Sequence, residues 1–197
     1  DMAGLLHPGV AASLLPALRA AVEVPISLHT HSTTGVSIIN AVIAMRSGID
    51  AVDTAITPFS CGSALPPVEI LMVFAEMMGI QHGLDAALLQ RVQKELFVIA
   101  DELKEHNPYI EKYYRPVSAA DIDRRQVGLV LDALEQGNER ALGTALAACR
   151  GITAALNYPP FDDRIFSAQI PGGMLTNLQS QLKQMGSPGA MDAVMKE

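Results

Sequence analysis

The sequence predicts an α/β fold that starts on parallel strands and continues into a helical half. Three observations predict it. Two short runs rich in β-branched residues, "VPISLHT" (Val24 to Thr30) and "IDAVDTAI" (Ile49 to Ile56), read as strands. Each is followed by a helix-length segment, and strands joined by helices must run parallel, since a parallel pair needs a crossover connection. From about Leu84 onward the strand pattern is replaced by helical periodicity. The expected division is therefore 1–83, α/β, and 84–197, mainly helical.

The elements follow in order. After "HPG", apolar residues at helical spacing (Val10, Leu14, Leu18, Val22) predict a first helix, with Pro16 kinking it or delaying its start. Val24 to Thr30 alternates and takes Pro25 near its beginning, as a strand can. "STTGVSIINAVIAMRSG" offers hydroxyl caps, an apolar stripe through Ile39, Val42 and Ile43, and Gly48 as a C-terminal cap. Ile49 to Ile56 is the second strand, and the loop from Thr57 to Pro66 leads into a helix with Pro67 in its first turn. "LDAALLQRVQKELFVIADELKEH" is long and amphipathic, "NPYIEKYYRP" is a proline-bounded connector, and helices are expected at Ser118 to Gln136 and Asn138 to Leu156. "SAAD" at Ser118 has the form of a capping box with Asp121 in the glutamate position.

Composition narrows the function classes. A chain of 197 residues that is 49% hydrophobic buries a real core. Its formal charge of -7 repels phosphate, which argues against nucleic acid as a partner. Cys61 and Cys149 are far apart and outside any CxxC spacing, so they indicate neither a disulfide framework nor a cysteine zinc site and fit a reducing, cytoplasmic compartment. The richest apolar run, "ILMVFAEMMGI", is broken by Glu76 and is too short to span a bilayer. The first residue is Asp1, within an element, which suggests an interior piece of a longer polypeptide.

The chemistry centres on "SLHTHSTTG" (Ser27 to Gly35). On a strand, alternate side chains share a face, so His29 and His31 can converge on one ion while Thr30 points away. The C-terminal end of a parallel strand is also where α/β barrels collect reactive groups. The pair admits a second reading, as histidines satisfied by core or loop groups. Two ligands do not complete a site, because zinc takes about four in all. His7, His82 and His106 lie in turns or near helix ends, where capping or solvation is expected. Asp50 and Asp53 do not share a strand face, which excludes a paired-carboxylate acid and base; a single structural or ligand-supporting role is expected of them. "IPGGMLTNL" (Ile170 to Leu178) lacks the spacing of nucleotide loops and reads as a tight turn before a helix from Leu175 to Met185.

Taken together, "DMAGLL" at Asp1, "LHTHSTTG" at Leu28, "GIDAVDTAI" at Gly48, "PPVE" at Pro66 and "QIPGGMLTNLQSQLKQMG" at Gln169 resemble the biotin-dependent carboxyltransferases in order and approximate spacing. That family includes the oxaloacetate decarboxylase α subunit, the carboxyltransferase domain of pyruvate carboxylase and the transcarboxylase 5S subunit. The resemblance is poorest between Pro116 and Tyr158. It implies that the chain is the later portion of a TIM-type (β/α)8 barrel followed by a helical extension.

It further implies a divalent metal, zinc, cobalt or manganese, held by His29 and His31. The family's remaining ligands, a carbamylated lysine just before "DMAG" and an aspartate on an earlier strand, fall outside this sequence, as does its proton-shuttling threonine. No catalytic or biotin-contacting residue is thereby assigned within the chain. The implied reaction moves a carboxyl group between biotin on a carrier domain and pyruvate or oxaloacetate. The implied setting is a homo-oligomer or a subunit of a complex, cytoplasmic or peripheral to a membrane decarboxylase. The isolated segment is expected to be inactive. Two rival readings are another HxH metal-dependent aldol or condensing barrel and a non-catalytic helical interaction domain.

Overall fold

In the computed structural model the described residues are 1–107, 109–161, 165 and 172–190. Pro8–Ala21 forms α1, Ser27–Leu28 β1, Ser37–Arg46 α2, Ala51–Val52 β2 and Val68–Met77 α3. Then come α4 (Ala86–Glu102), α5 (Tyr109–Lys112), α6 (Arg124–Gln136), α7 (Glu139–Ala155) and α8 (Gly172–Gln184). β1 and β2 pair in parallel, Ser27 opposite Ala51 and Leu28 opposite Val52, with α2 as the crossover. Among the described residues these two are the only named strands, so the segment is mostly helical and does not itself contain a closed barrel.

Both strands are shorter than their sequence patterns because side chains and a third stretch of chain take over their ends. Asp50 Oδ2 accepts the Ile26 amide at 2.8 Å, and beyond Leu28 the backbone turns from β2 to Asp1. The α2 terminus follows the expected glycine logic: Gly48 lies at φ +71°, its amide bonds Met45 O, and the Ile49 amide reaches back to Ala44 O. Its start does not follow the expected hydroxyl capping. Val36 occupies the N-cap without a side-chain bond, and the hydroxyls serve tertiary contacts instead, Ser32 to Ser37 and Thr34 to the Gly4 carbonyl.

The core lies around α2 and α3, whose residues Ser37 to Ala44 and Val68 to Ala75 are all buried. α2 packs against α1, β2, α3 and α7, so its polar Asn40 is enclosed and donates to Leu6 O at 2.8 Å. The α6–α7 hairpin closes over this pair with Val127, Val130, Ala145 and Ile152, its turn formed by Gly137 at φ +65° and the Asn138 cap on Ala141. Two helical faces differ from expectation. The stripe Val10, Leu14, Leu18 on α1 is exposed, and the helix instead buries Ala11 and Leu15, on the side where it packs on α2 and α7. "SAAD" caps only the 3-10 turn Ala119–Asp121; α6 begins later, with Asp123 accepting the Arg125 amide.

One buried carboxyl ties the two halves together. Glu69 is 3% exposed, and its Oε1 accepts the Thr57 amide at 3.0 Å and Gln93 Nε2 from α4 at 2.6 Å. Burial raises the Glu69 carboxyl above the ordinary glutamate range. A raised acid stabilises the fold below its unfolded value, and that contribution is lost as pH rises through the folded one. Glu69→Gln keeps the accepting oxygen without the charge. The fall in thermal midpoint between about pH 5 and about pH 8 is expected to shrink in this variant; an unchanged fall would assign the pH dependence to other groups.

Candidate metal centre

His29 and His31 leave β1 at its C-terminal end, and the chain around them is fixed from three sides. The first is Asp1. Its main-chain nitrogen donates to His29 O at 2.7 Å and its carbonyl accepts the His31 amide at 3.1 Å, the bonding of a parallel bridge opposite Thr30. The Asp1 carboxylate accepts Thr30 Oγ1 at 2.9 Å and the Leu5 and Leu6 amides, which holds "DMAG" in a turn against the histidine segment. Gly4 fits there at φ +67°; a Cβ on it would lie 2.7 Å from His31 O, so only glycine permits this approach.

The second and third sides fix the imidazoles. His29 Nδ1 lies 2.8 Å from Asp53 Oδ2, just beyond β2, and His31 Nδ1 lies 2.6 Å from the Ser63 carbonyl in the loop after it. A carbonyl only accepts, so His31 must carry its proton on Nδ1. An ionised carboxylate likewise only accepts, and the His29 hydrogen bond holds the Asp53 carboxyl below the ordinary aspartate value. When neutral, both rings therefore present an Nε2 lone pair. These two Nε2 atoms lie 3.1 Å apart, with ring centroids 5.1 Å apart.

Two facing lone pairs repel unless a proton or a cation lies between them. Ligands about 2.0–2.1 Å from a common ion, at angles between square and tetrahedral, are separated by about 2.8–3.4 Å. The observed spacing and the pattern of Nδ1 donors match a histidine pair prepared for a metal, whose non-ligating nitrogens usually donate to a carboxylate or a carbonyl. Among the described residues no group of three histidine, cysteine or acidic side chains could hold an ion.

The remaining candidates lie elsewhere. His7 Nδ1 caps Gly9, and His82 Nδ1 accepts the Leu84 amide. Asp50 holds the start of β1 and lies 3.7 Å from Arg19, apart from Asp53 in role. Cys61 and Cys149 are free and buried, and burial pushes the Cys149 thiol up to about 12. Of "IPGGMLTNL", Ile170 and Pro171 lie outside the described residues, while Gly172 already begins α8. Sequence reasoning missed the Ser63 carbonyl and the Asp1 bridge, because main-chain acceptors leave no residue-type signal.

Known proteins resemble the chain in sequence and in fold. Residues 1–96 match the HMGL-like family, and residues 165–197 match the conserved carboxylase domain. The chain is 27% identical to a pyruvate carboxylase subunit from Methanocaldococcus jannaschii over 100% of its own length and 26% of that protein. It is 29% identical to the methylmalonyl-CoA carboxyltransferase 5S subunit of Propionibacterium freudenreichii subsp. shermanii, over 100% of this chain and 30% of that one. It thus spans about a quarter of the length of these relatives. The 4-hydroxy-2-oxovalerate aldolases among its relatives align over only about half of this chain. In structure, the carboxyl transferase domain from Rhizobium etli pyruvate carboxylase superposes with a TM-score of 0.62 at 23% identity, covering 99% of this chain and 25% of that one.

Proposed function

We propose that this chain, which belongs to the biotin-dependent carboxyltransferase family, supplies the two-histidine part of a metal-dependent site that moves a carboxyl group between biotin and pyruvate or oxaloacetate. In this reading 1–83 is the later portion of a TIM-type barrel and 84–197 its helical extension. The observation that carries it is the convergence of the His29 and His31 Nε2 atoms while both Nδ1 atoms are engaged.

The roles of the chain's own residues follow from that geometry. His29 and His31 hold the ion, Asp53 and the Ser63 carbonyl keep both Nε2 lone pairs aimed at it, and the Asp1 turn fixes the strand between them. The parallel bridge opposite Thr30 adds a further point. Because faces alternate along strands, a residue joined ahead of Asp1 projects on the same face as His29 and His31. That is where the resemblance sets the carbamylated lysine, which supports one ion shared between this chain and preceding sequence. When bound, a divalent cation supplies a Lewis acid beside a carbonyl oxygen, where charge develops as pyruvate gains or loses a carboxyl group. Zinc, cobalt and manganese all suit mixed nitrogen and oxygen ligands.

The implied partners are a biotin carrier domain and further copies or subunits of a carboxylase complex, in the cytoplasm or at a membrane decarboxylase. Among the described residues no helix is long and apolar enough to cross a membrane. The aldol and condensing reading is weaker, because those relatives align with only part of the chain. Assay of the full-length protein distinguishes them: biotin-dependent carboxyl exchange with pyruvate or oxaloacetate is expected. Acyl-CoA condensation or aldol cleavage without such exchange would favour the other class.

A further inference from the structure

The loop that orients His31 is itself held from the helical half. Its Ser63 carbonyl accepts His31 Nδ1, and the neighbouring Ala64 carbonyl accepts the Ser32 amide at 2.7 Å. Ser63 is exposed, in a turn closed by its own bonds, the Ala64 amide on Cys61 O and the Cys61 amide on Leu65 O, so the Ser63 carbonyl follows the turn as a unit. Two tyrosines from distant sequence bind the other side of this loop. Tyr158, just after α7 and 4% exposed, places its hydroxyl 2.6 Å from Thr57 Oγ1, which lies 3.3 Å from Ser60 Oγ. Tyr114, in the connector before α6, donates to Ser60 O at 2.7 Å and meets Tyr158 edge to face, with ring centroids 5.9 Å apart. Thr57 and Ser60 are fully buried, so these hydroxyls have no water to replace a lost partner.

We infer that Tyr158 and Tyr114 are positioning residues for the metal-binding pair: by anchoring the Thr57 to Pro66 loop they set the Ser63 carbonyl, which sets the tautomer and direction of His31. The helical half thereby contributes to the geometry of a site it does not touch. The Nδ1 of His29 is held by Asp53 on β2's side, not by the loop the two tyrosines anchor. The inference rests on the reading of His29 and His31 as ligands, and it predicts an asymmetry: loss of either hydroxyl disturbs one imidazole and spares the other.

The test uses the full-length protein with Tyr158→Phe, Tyr114→Phe and, as a control in the same connector, Tyr113→Phe. Imidazole nitrogen NMR of the zinc-loaded protein reads both rings directly. Wild type is expected to hold both rings with the proton on Nδ1. Tyr158→Phe is expected to shift the His31 Nδ1 signal while that of His29 is unchanged, and cobalt affinity is expected to fall roughly tenfold, in the range seen when a ligand's supporting hydrogen bond is lost. Circular dichroism matching wild type excludes gross unfolding, and Tyr114→Phe supplies the same readout should Tyr158→Phe fold poorly. A His31 signal unchanged in both variants would overturn the inference, as would equal shifts of His29 and His31. Cobalt binding that is the same in wild type and in a His29→Ala, His31→Ala double variant would instead overturn the metal reading beneath it.

Discussion

The His29→Ala, His31→Ala double variant of the full-length protein is expected to purify with almost no bound divalent metal, a loss of at least about 100-fold in affinity. The magnitude follows from the chemistry. Replacing even one hydrogen-bond partner of a ligating histidine typically costs about 10- to 100-fold, and here two direct donors are removed. Carboxyl exchange should disappear with the metal. The fold should not, because both imidazoles stand at the partly exposed end of β1 and add little to the core. Metal analysis beside wild type checks the first point, and thermal unfolding checks the second. Retained metal would remove the histidines from the site.

Phe74→Ala is expected to have the opposite signature. Phe74 is fully buried on α3, within the cluster formed by α2, α3 and the α6–α7 hairpin. Truncating such a side chain costs about 3–5 kcal/mol, from lost apolar burial and the cavity left behind. That loss is best read locally, by amide exchange. Amide exchange along α2 and α3 should speed up by about two to three orders of magnitude, because opening free energies there set the exchange rates. Metal content at low temperature should be retained, since Phe74 lies apart from the imidazoles. Exchange rates unchanged from wild type would mean that these helices are not one cooperative core.

The contrast between these two variants reflects what sequence could and could not convey. The alternation of Ser27 to His31 placed both imidazoles on one face without any tertiary information, and the helix between β1 and β2 required parallel pairing. Asp53 could be excluded as half of a carboxylate pair from its strand position, and its place beside His29 fits a supporting role. By contrast, the face that α1 buries depends on its neighbours: Ala11 and Leu15 are turned toward α2 and α7, while Val10, Leu14 and Leu18 stay exposed. The hydroxyls before α2 looked like caps, yet tertiary acceptors claimed them. Main-chain acceptors are invisible in a sequence altogether. The Ser63 carbonyl that fixes His31 could not be anticipated, because any residue in that loop would supply the same oxygen.

The same physical reasoning explains why "DMAG" and "HTH", far apart in the chain, belong together. A carboxylate, a threonine hydroxyl and a glycine at positive φ jointly press Asp1 against the histidine segment. Each is an ordinary local device, and together they fix the register on which the ligand geometry depends.

X-ray absorption spectroscopy of the zinc- or cobalt-loaded full-length protein tests the ligand pair most directly. Two imidazole nitrogens at about 2.0–2.1 Å are expected in the first coordination sphere. A loaded metal with no imidazole scattering in wild type would contradict the account.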